Sequence, residues 1–425
     1  MRWAIVAAMV VGWGVVWADD ADTNDITSLT AEQAKLLLGK QRTLSLGGLR
    51  TLSPEVAEVL ADHDGTLALN GLTSLNADTA KKLAEFGGEV LALNGLPWLE
   101  EDTAKTLSPF RGRLSLNGLT HIDAVDAEAL AHLRADLILD GLVKLDSVSA
   151  KALADFKGTA IHFGRLKILD ADTAKALAQV KADLTLNRLT KLSDEVAEAL
   201  AQHQSALAID GVDSVSPEGI RFLSRHEGDL SLNGLTWLND YTAGALKKHK
   251  GMLSLDGVVM VGRGGLSLRT LSEITAHQGD LSLNGLAWLS DEHARVLGMH
   301  KGKLSLDGVS RLTSAKQAEL LAEHRGDLSL NGLTSLSDDK AQMFQYFWGG
   351  RLYLNGLTTL SDDAAQSLAK MKGSLCLSGL ATLTDAQAKA LAKHQGGLSL
   401  DGLNTLSDRA VTALRANPNI RFPQR

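Results

Sequence analysis

The sequence predicts an α/β solenoid, one strand-turn-helix unit stacked many times, with a parallel sheet along one face and short helices along the other. Three observations predict it. The segment Leu-x-Leu-Asn-Gly-Leu recurs with starts at Leu44, Leu67, Leu91, Leu114, Leu137, Ile161, Leu184, Leu207, Leu230, Leu253, Leu281, Leu304, Leu328, Leu352, Leu375 and Leu398. Ten of the fifteen intervals are 23 residues, four are 24, and only the step from Leu253 to Leu281 is long, at 28. Aromatic residues are 4% of the chain while Leu, Ala and Gly abound, as expected when every coil needs the same aliphatic plugs and tight turn. The 425 residues therefore form one array of sixteen coils over residues 44–416, and a domain count from length does not apply.

One coil justifies each element in order. In the coil of Leu230, the alternation Leu230-Ser231-Leu232 reads as a short strand with both leucines inward and Ser231 outward. Asn233-Gly234 turns the chain. Gly holds the second turn position in fourteen coils, where a positive φ would cost it nothing, and Asn or Asp holds the first in thirteen. Leu235 and Leu238 plug the interior. A Ser/Thr/Asn followed by acidic residues then caps a helix, as in Ser193-Asp194-Glu195, and the helix behind it places Ala197, Leu200 and Ala201 on one face.

No single coil buries that face alone, so each strand must pair with the next and the leucines must form a continuous column. Sixteen rungs about 4.8 Å apart give a sheet path of roughly 70 Å. Helices need more width than strands, which predicts a right-handed horseshoe with the sheet concave and the helices convex. Residues 26–43 read as an N-terminal capping repeat, 19–25 as a short disordered lead, and 417–425, with Pro418 and Pro423, as a final cap or tail.

The run Leu-x-Leu-(Asn/Asp)-Gly-Leu-x-x-Leu-Ser-Asp-Glu-x-x-x-x-Leu-Ala resembles bacterial leucine-rich repeats with a convex-side helix, over about Ile26 to Phe422. It departs from the common pattern in that Asn follows the strand leucine directly. Asn70, Asn94, Asn117 and their equivalents therefore either form a buried asparagine ladder or only shape the turn. The resemblance implies binding of a protein or ligand, usually on the concave face, and no inherent catalysis.

Residues 1–18 read as a secretory signal peptide, with Arg2, an apolar run from Trp3 to Val16, and a small-residue end at Ala18. Export to the periplasm, the cell surface or the medium is expected, with no membrane span after cleavage. The formal charge of -7 makes the chain a poor candidate for nucleic acid, and no nucleic-acid partner is expected. Cys376 is the single cysteine, so neither an internal disulfide nor a cysteine-based zinc site is possible.

Departures from the repeat point to candidate sites. The outward strand position is Ser in eight coils and Ala in three; Ile138, His162, Thr185, Tyr353 and Cys376 are the exceptions. At one cluster of departures Arg165 and Arg188 replace the turn glycine, with Lys144, Lys167, Lys191 and His162 close in register. These cations could receive a carboxylate- or phosphate-bearing partner; the competing reading is a solvated rim neutralised by neighbouring carboxylates. The first candidate surface is a row formed by Trp98, Trp237, Met260 and Trp288, beside the insertion at 262–266 with Arg263. Such rings suit a protein hot spot or sugar stacking, or each simply covers its own turn. The insertion lacks the Lys-Ser/Thr of a phosphate-binding loop.

His63, His203, His226, His249, His277, His300, His324 and His394 stand four residues before a strand, where other coils carry Phe110, Leu133, Val180, Trp348 or Met371. Such replacements do not suit a metal site, so the rings are read as capping helix carbonyls, favoured there by the dipole, and filling the groove between coils. The turn carboxylates Asp140, Asp210, Asp256, Asp307 and Asp401 are interrupted by Asn, which argues against a calcium ladder. No catalytic constellation, metal or cofactor is expected. Phe344 to Trp348, with Tyr353 and Cys376, reads as an altered core layer. The expected function is a monomeric exported scaffold for a protein partner; the alternatives are a glycan or envelope-polymer binder and a passive spacer.

Overall fold

The computed structural model describes residues 23–259 and 266–423. Seventeen strands of two or three residues form one sheet in which each strand pairs in parallel with the next along the chain. The register is that of the repeat: Leu44 faces Leu67, Leu137 faces Ile161, and Leu375 faces Leu398. Seventeen α-helices of six to eight residues alternate with the strands. This is a leucine-rich-repeat solenoid. The final strand, Ile420–Arg421, lies in the segment read as a cap or tail and pairs with Leu398–Ser399. Residues 23–25, read as disordered, instead form a 3-10 turn, tied down because the Gly47 N–H donates to Asn24 Oδ1 at 3.1 Å.

The leucine column is dry. Leu230, Leu232, Leu235 and Leu238 are all buried, as are Ala197, Leu200 and Ala201 on the helix side. Each buried leucine stabilises by about 1.5–3 kcal/mol relative to exposure. Helices start where capping was expected: the Val196 N–H donates to Ser193 Oγ at 3.3 Å. The caps also connect coils, since the Ser314 and Thr270 hydroxyls donate to Asp291 and Asp240 of the preceding helix at 2.8 and 2.6 Å.

The asparagines form a ladder, but a half-exposed one and not a buried one, and aspartate serves in it equally. Asn94 Oδ1 accepts from the Asn117 N–H at 2.9 Å and from Ser115 Oγ at 2.7 Å, both one coil further on. Asn117 Oδ1 accepts from the Asp140 N–H at 2.7 Å, and Asp210 Oδ1 from the Asn233 N–H at 2.9 Å. Six of the outward serines, Ser115, Ser231, Ser254, Ser282, Ser305 and Ser329, are therefore partners of this ladder and only half exposed or buried.

The turn glycines correct the sequence reading. Among the described residues only Gly39 and Gly65 have positive φ, and neither is a turn glycine. The requirement is close approach: a Cβ at Gly308 would fall closer than 3.0 Å to the Asn284 carbonyl oxygen of the preceding turn, and all fourteen turn glycines meet a backbone oxygen in this way. Stacking distance, not dihedral freedom, selects glycine.

Candidate functional site

The regular devices fail together in the coil of Ile161. Its turn reads Phe163-Gly164-Arg165, so the ladder position has no side chain and the turn glycine has become arginine. The next coil keeps Asn187 but carries Arg188 in place of glycine and Thr185 in place of serine. Arg165 and Arg188 bring a Cβ to the position where glycine elsewhere lies against the preceding turn. The helix just before, Ser147–Ala152, is six residues long and ends in a 3-10 turn, Leu153–Asp155.

A cleft of about 1200 Å³ opens there, spanning the coils of Leu114 to Leu184. Its floor is Ile138, His162 and Thr185, and its cations are Arg113, Lys144, Arg165, Lys167 and Arg188. All five cations are exposed. Among the described residues none of them makes a side-chain hydrogen bond or ion pair, in contrast to Arg42 with Glu89, Lys82 with Glu58 and Lys247 with Glu273. Asp140 is the single carboxylate in the lining; it leans over Gly164, within 3.0 Å of where a Cβ there would lie, and its side chain accepts no hydrogen bond among the described residues. Val143 and Ile168 add aliphatic surface to the wall, Ile168 being 74% exposed.

The cleft thus gathers Lys144, His162, Arg165, Lys167 and Arg188, while Lys191 is not in its lining. Ile168, not Lys167, aligns between Lys144 and Lys191. Sequence reasoning missed Arg113, whose signal was a cation at the residue before a strand leucine, and missed Asp140 as the carboxylate beside an empty ladder position.

Trp98 stands apart from the other two candidate tryptophans. Trp98, Trp237 and Trp288 are 56%, 48% and 44% exposed, but Trp98 lies six coils from Trp237, about 29 Å at the usual strand spacing. Trp237 and Trp288 are two coils apart. The Trp288 ring packs edge-on against His293, with centroids 6.1 Å apart. Met260, Arg263 and residues 262–265 of the insertion lie outside the described residues.

The histidine column is buried. His203, His226, His249, His277, His300 and His324 stack in unbroken succession, with centroids 5.9 to 6.4 Å apart and planes within 9° of parallel. Burial pushes the pKa of all six down, that of His249 to about 4, so the imidazoles are neutral at neutral pH. Attraction of a charged ring to the helix dipole is therefore not their role. Three rings meet carbonyls, of which only that of Thr275 ends a helix, as at His300; those of Gly251 and Asp327, met by His277 and His324, lie before strands. Trp348 does not belong to this column: Phe347 takes the buried place and Trp348 is 62% exposed with Lys372 Nζ over its ring at 4.2 Å. The preceding interval of 24 residues moved the register by one. Among the described residues no group of three or more His, Cys, Asp or Glu could hold a metal ion, and no helix is long and apolar enough to cross a membrane.

No family model matches the sequence, and no curated protein is similar to it. Solved structures are. An internalin from Listeria monocytogenes is 12% identical, covering 93% of this chain and 90% of its own, with a TM-score of 0.32. A chain of the yeast Rad7 and Elc1 complex is 16% identical over 95% of this chain and 89% of that one, with a TM-score of 0.38. A chain of the Drosophila Toll and Spatzle complex is 16% identical over 89% of this chain and 50% of that one, with a TM-score of 0.41.

Proposed function

We propose that this chain is an exported, non-catalytic scaffold that binds a protein partner, at the cell envelope or outside the cell, through the cationic cleft of the coils of Leu114 to Leu184. The observation that carries the reading is the five cations without partners around one cleft, on a molecule of net charge -7. Such a site draws an oppositely charged surface while the rest of the molecule repels it. The signal-like sequence of residues 1–18 supports export.

A protein is favoured over a glycan because the lining offers aliphatic surface from Ile138, Val143 and Ile168 and no Phe, Tyr or Trp on which a sugar ring could stack. The test is affinity capture from envelope extract, beside purified cell-wall polysaccharide, by three forms: wild type, Arg165→Gly with Arg188→Gly, and Trp237→Ala with Trp288→Ala. Both arginine changes restore the turn glycine of the other coils. Capture of a protein that fails in the arginine form and weakens with salt supports the reading. Capture that fails only in the tryptophan form moves the site, and capture of polysaccharide alone moves the ligand class.

A further inference from the structure

In the regular coils the turn Asn or Asp places Oδ1 between two donors of the following coil. Asp210 Oδ1 takes the Asn233 N–H at 2.9 Å and Ser231 Oγ at 2.6 Å; Asp256 Oδ1 takes the Asn284 N–H at 2.8 Å and Ser282 Oγ at 2.6 Å. At Gly164 that oxygen is missing. The donors it would serve are the Asn187 N–H and the Thr185 hydroxyl, and among the described residues neither makes a hydrogen bond. Both residues line the cleft, flanked by Arg165 and Arg188.

We infer that a carboxylate from an acidic side chain of a polypeptide partner enters the cleft and supplies the missing ladder oxygen, accepting from the Asn187 N–H and Thr185 Oγ1 while Arg165 and Arg188 neutralise it. This rests on the cleft being the partner surface. The slot between successive coils is shaped for a planar side-chain carboxyl or amide, because that is what fills it elsewhere; a tetrahedral phosphate is a poorer fit. Planarity alone would admit a neutral amide, particularly beside Asp140. The charge decides: five cations face one carboxylate, so an incoming anion meets a surplus of positive charge that a neutral amide does not use. Ile138, Val143 and Ile168 beside the slot suit aliphatic neighbours of the acidic residue.

The ladder is also interrupted at Gly47 and Ser378, but neither place has such cations. Near Gly47, Arg50 donates to the Gly71 carbonyl at 3.4 Å, and near Ser378, Arg421 is paired with Asp401 at 2.8 Å. Among the described residues, only at Gly164 do an absent acceptor and unneutralised charge coincide.

The variant that tests this is Gly164→Asn, which gives the ladder its own side chain and blocks the slot without touching a cation. The new Cβ displaces the Asp140 side chain, which lies within 3.0 Å of its place, and thermal unfolding checks that the variant folds. Calorimetric titration of the full chain would use a blocked peptide alternating Glu and Leu, its Gln counterpart, an oligouronate and inorganic phosphate. The inference predicts binding of the Glu peptide, weakened at least roughly tenfold by Gly164→Asn, as for loss of hydrogen bonds to a charged group. Little binding of the Gln peptide is expected. Equal binding of Glu and Gln peptides, tighter binding of oligouronate or phosphate, or Glu-peptide binding indifferent to Gly164→Asn overturns it. If Arg165→Gly with Arg188→Gly abolishes that indifferent binding, the cleft remains the partner surface and only the ladder assignment fails; if neither variant matters, both fail.

Discussion

The side chain of Asn233 accepts the backbone N–H of Asp256 at 2.8 Å, one coil further along the solenoid. The same Oδ1 accepts Ser254 Oγ at 2.8 Å, so one oxygen ties a turn to both the strand and the turn of its neighbour. Asn233→Ala should therefore destabilise by about 1–3 kcal/mol, because it strands an amide and a hydroxyl, whereas Ser254→Ala should cost about 0.5–1.5 kcal/mol. Urea unfolding of both variants checks the ranking, and equal effects would mean that the ladder oxygen does not join the coils.

Close approach of successive turns gives opposite signs at equivalent positions. Gly308→Ala should be among the more destabilising surface-turn changes, roughly 2 kcal/mol or more, since its Cβ must displace the Asn284 carbonyl. Arg165→Gly should be neutral or stabilising. Denaturation midpoints of the two variants, measured side by side, provide the check.

Phe347 and Trp348 separate burial from size. Phe347 is fully buried and Phe347→Ala should cost about 3–5 kcal/mol. Trp348, although larger, stands in solvent, and Trp348→Ala should fall within about 0.5 kcal/mol of wild type. Reversed values from equilibrium unfolding would put Trp348 back in the column.

The stacked histidines make stability depend on pH. In the unfolded chain each titrates near 6.5, while in the folded state burial holds it lower, at about 4 for His249. Between those values the unfolded chain binds more protons, so stability is full above about 6.5 and is lost as pH falls toward 4, by of order 1–3 kcal/mol from His249 alone after allowing for solvent screening. Asp183 and Asp280 oppose the shift at His203 and His300 and soften it there. Melting temperature followed from neutral to acid pH should fall over this window, and His249→Phe, isosteric with the Phe found in other coils, should flatten part of the fall.

Fold was legible in the sequence because stacking repeats one local solution: the strand leucines, caps and register all followed from a period of 23 or 24 residues. What local reading lacks is the neighbouring coil. The reason for the turn glycines, the role of serine as a ladder donor and the exposure of Trp348 all depend on contacts between coils. The same holds for the site. Arg165 and Arg188 were visible as departures, but that they line a cleft with Arg113, and that Gly164 leaves two donors unfilled, appears only when successive turns are laid side by side. The distance of Trp98 from Trp237, six coils, is already contained in the spacing of the repeat starts.

The most direct test of the central claim is hydrogen–deuterium exchange of the full chain with and without its captured protein partner. Binding in the cationic cleft predicts slowed exchange in segments carrying Arg113, Ile138 to Lys144, His162 to Ile168 and Thr185 to Arg188, with the helix face and the coils of Leu230 to Leu281 unchanged. Protection confined to those latter coils, or to the helices, would contradict it.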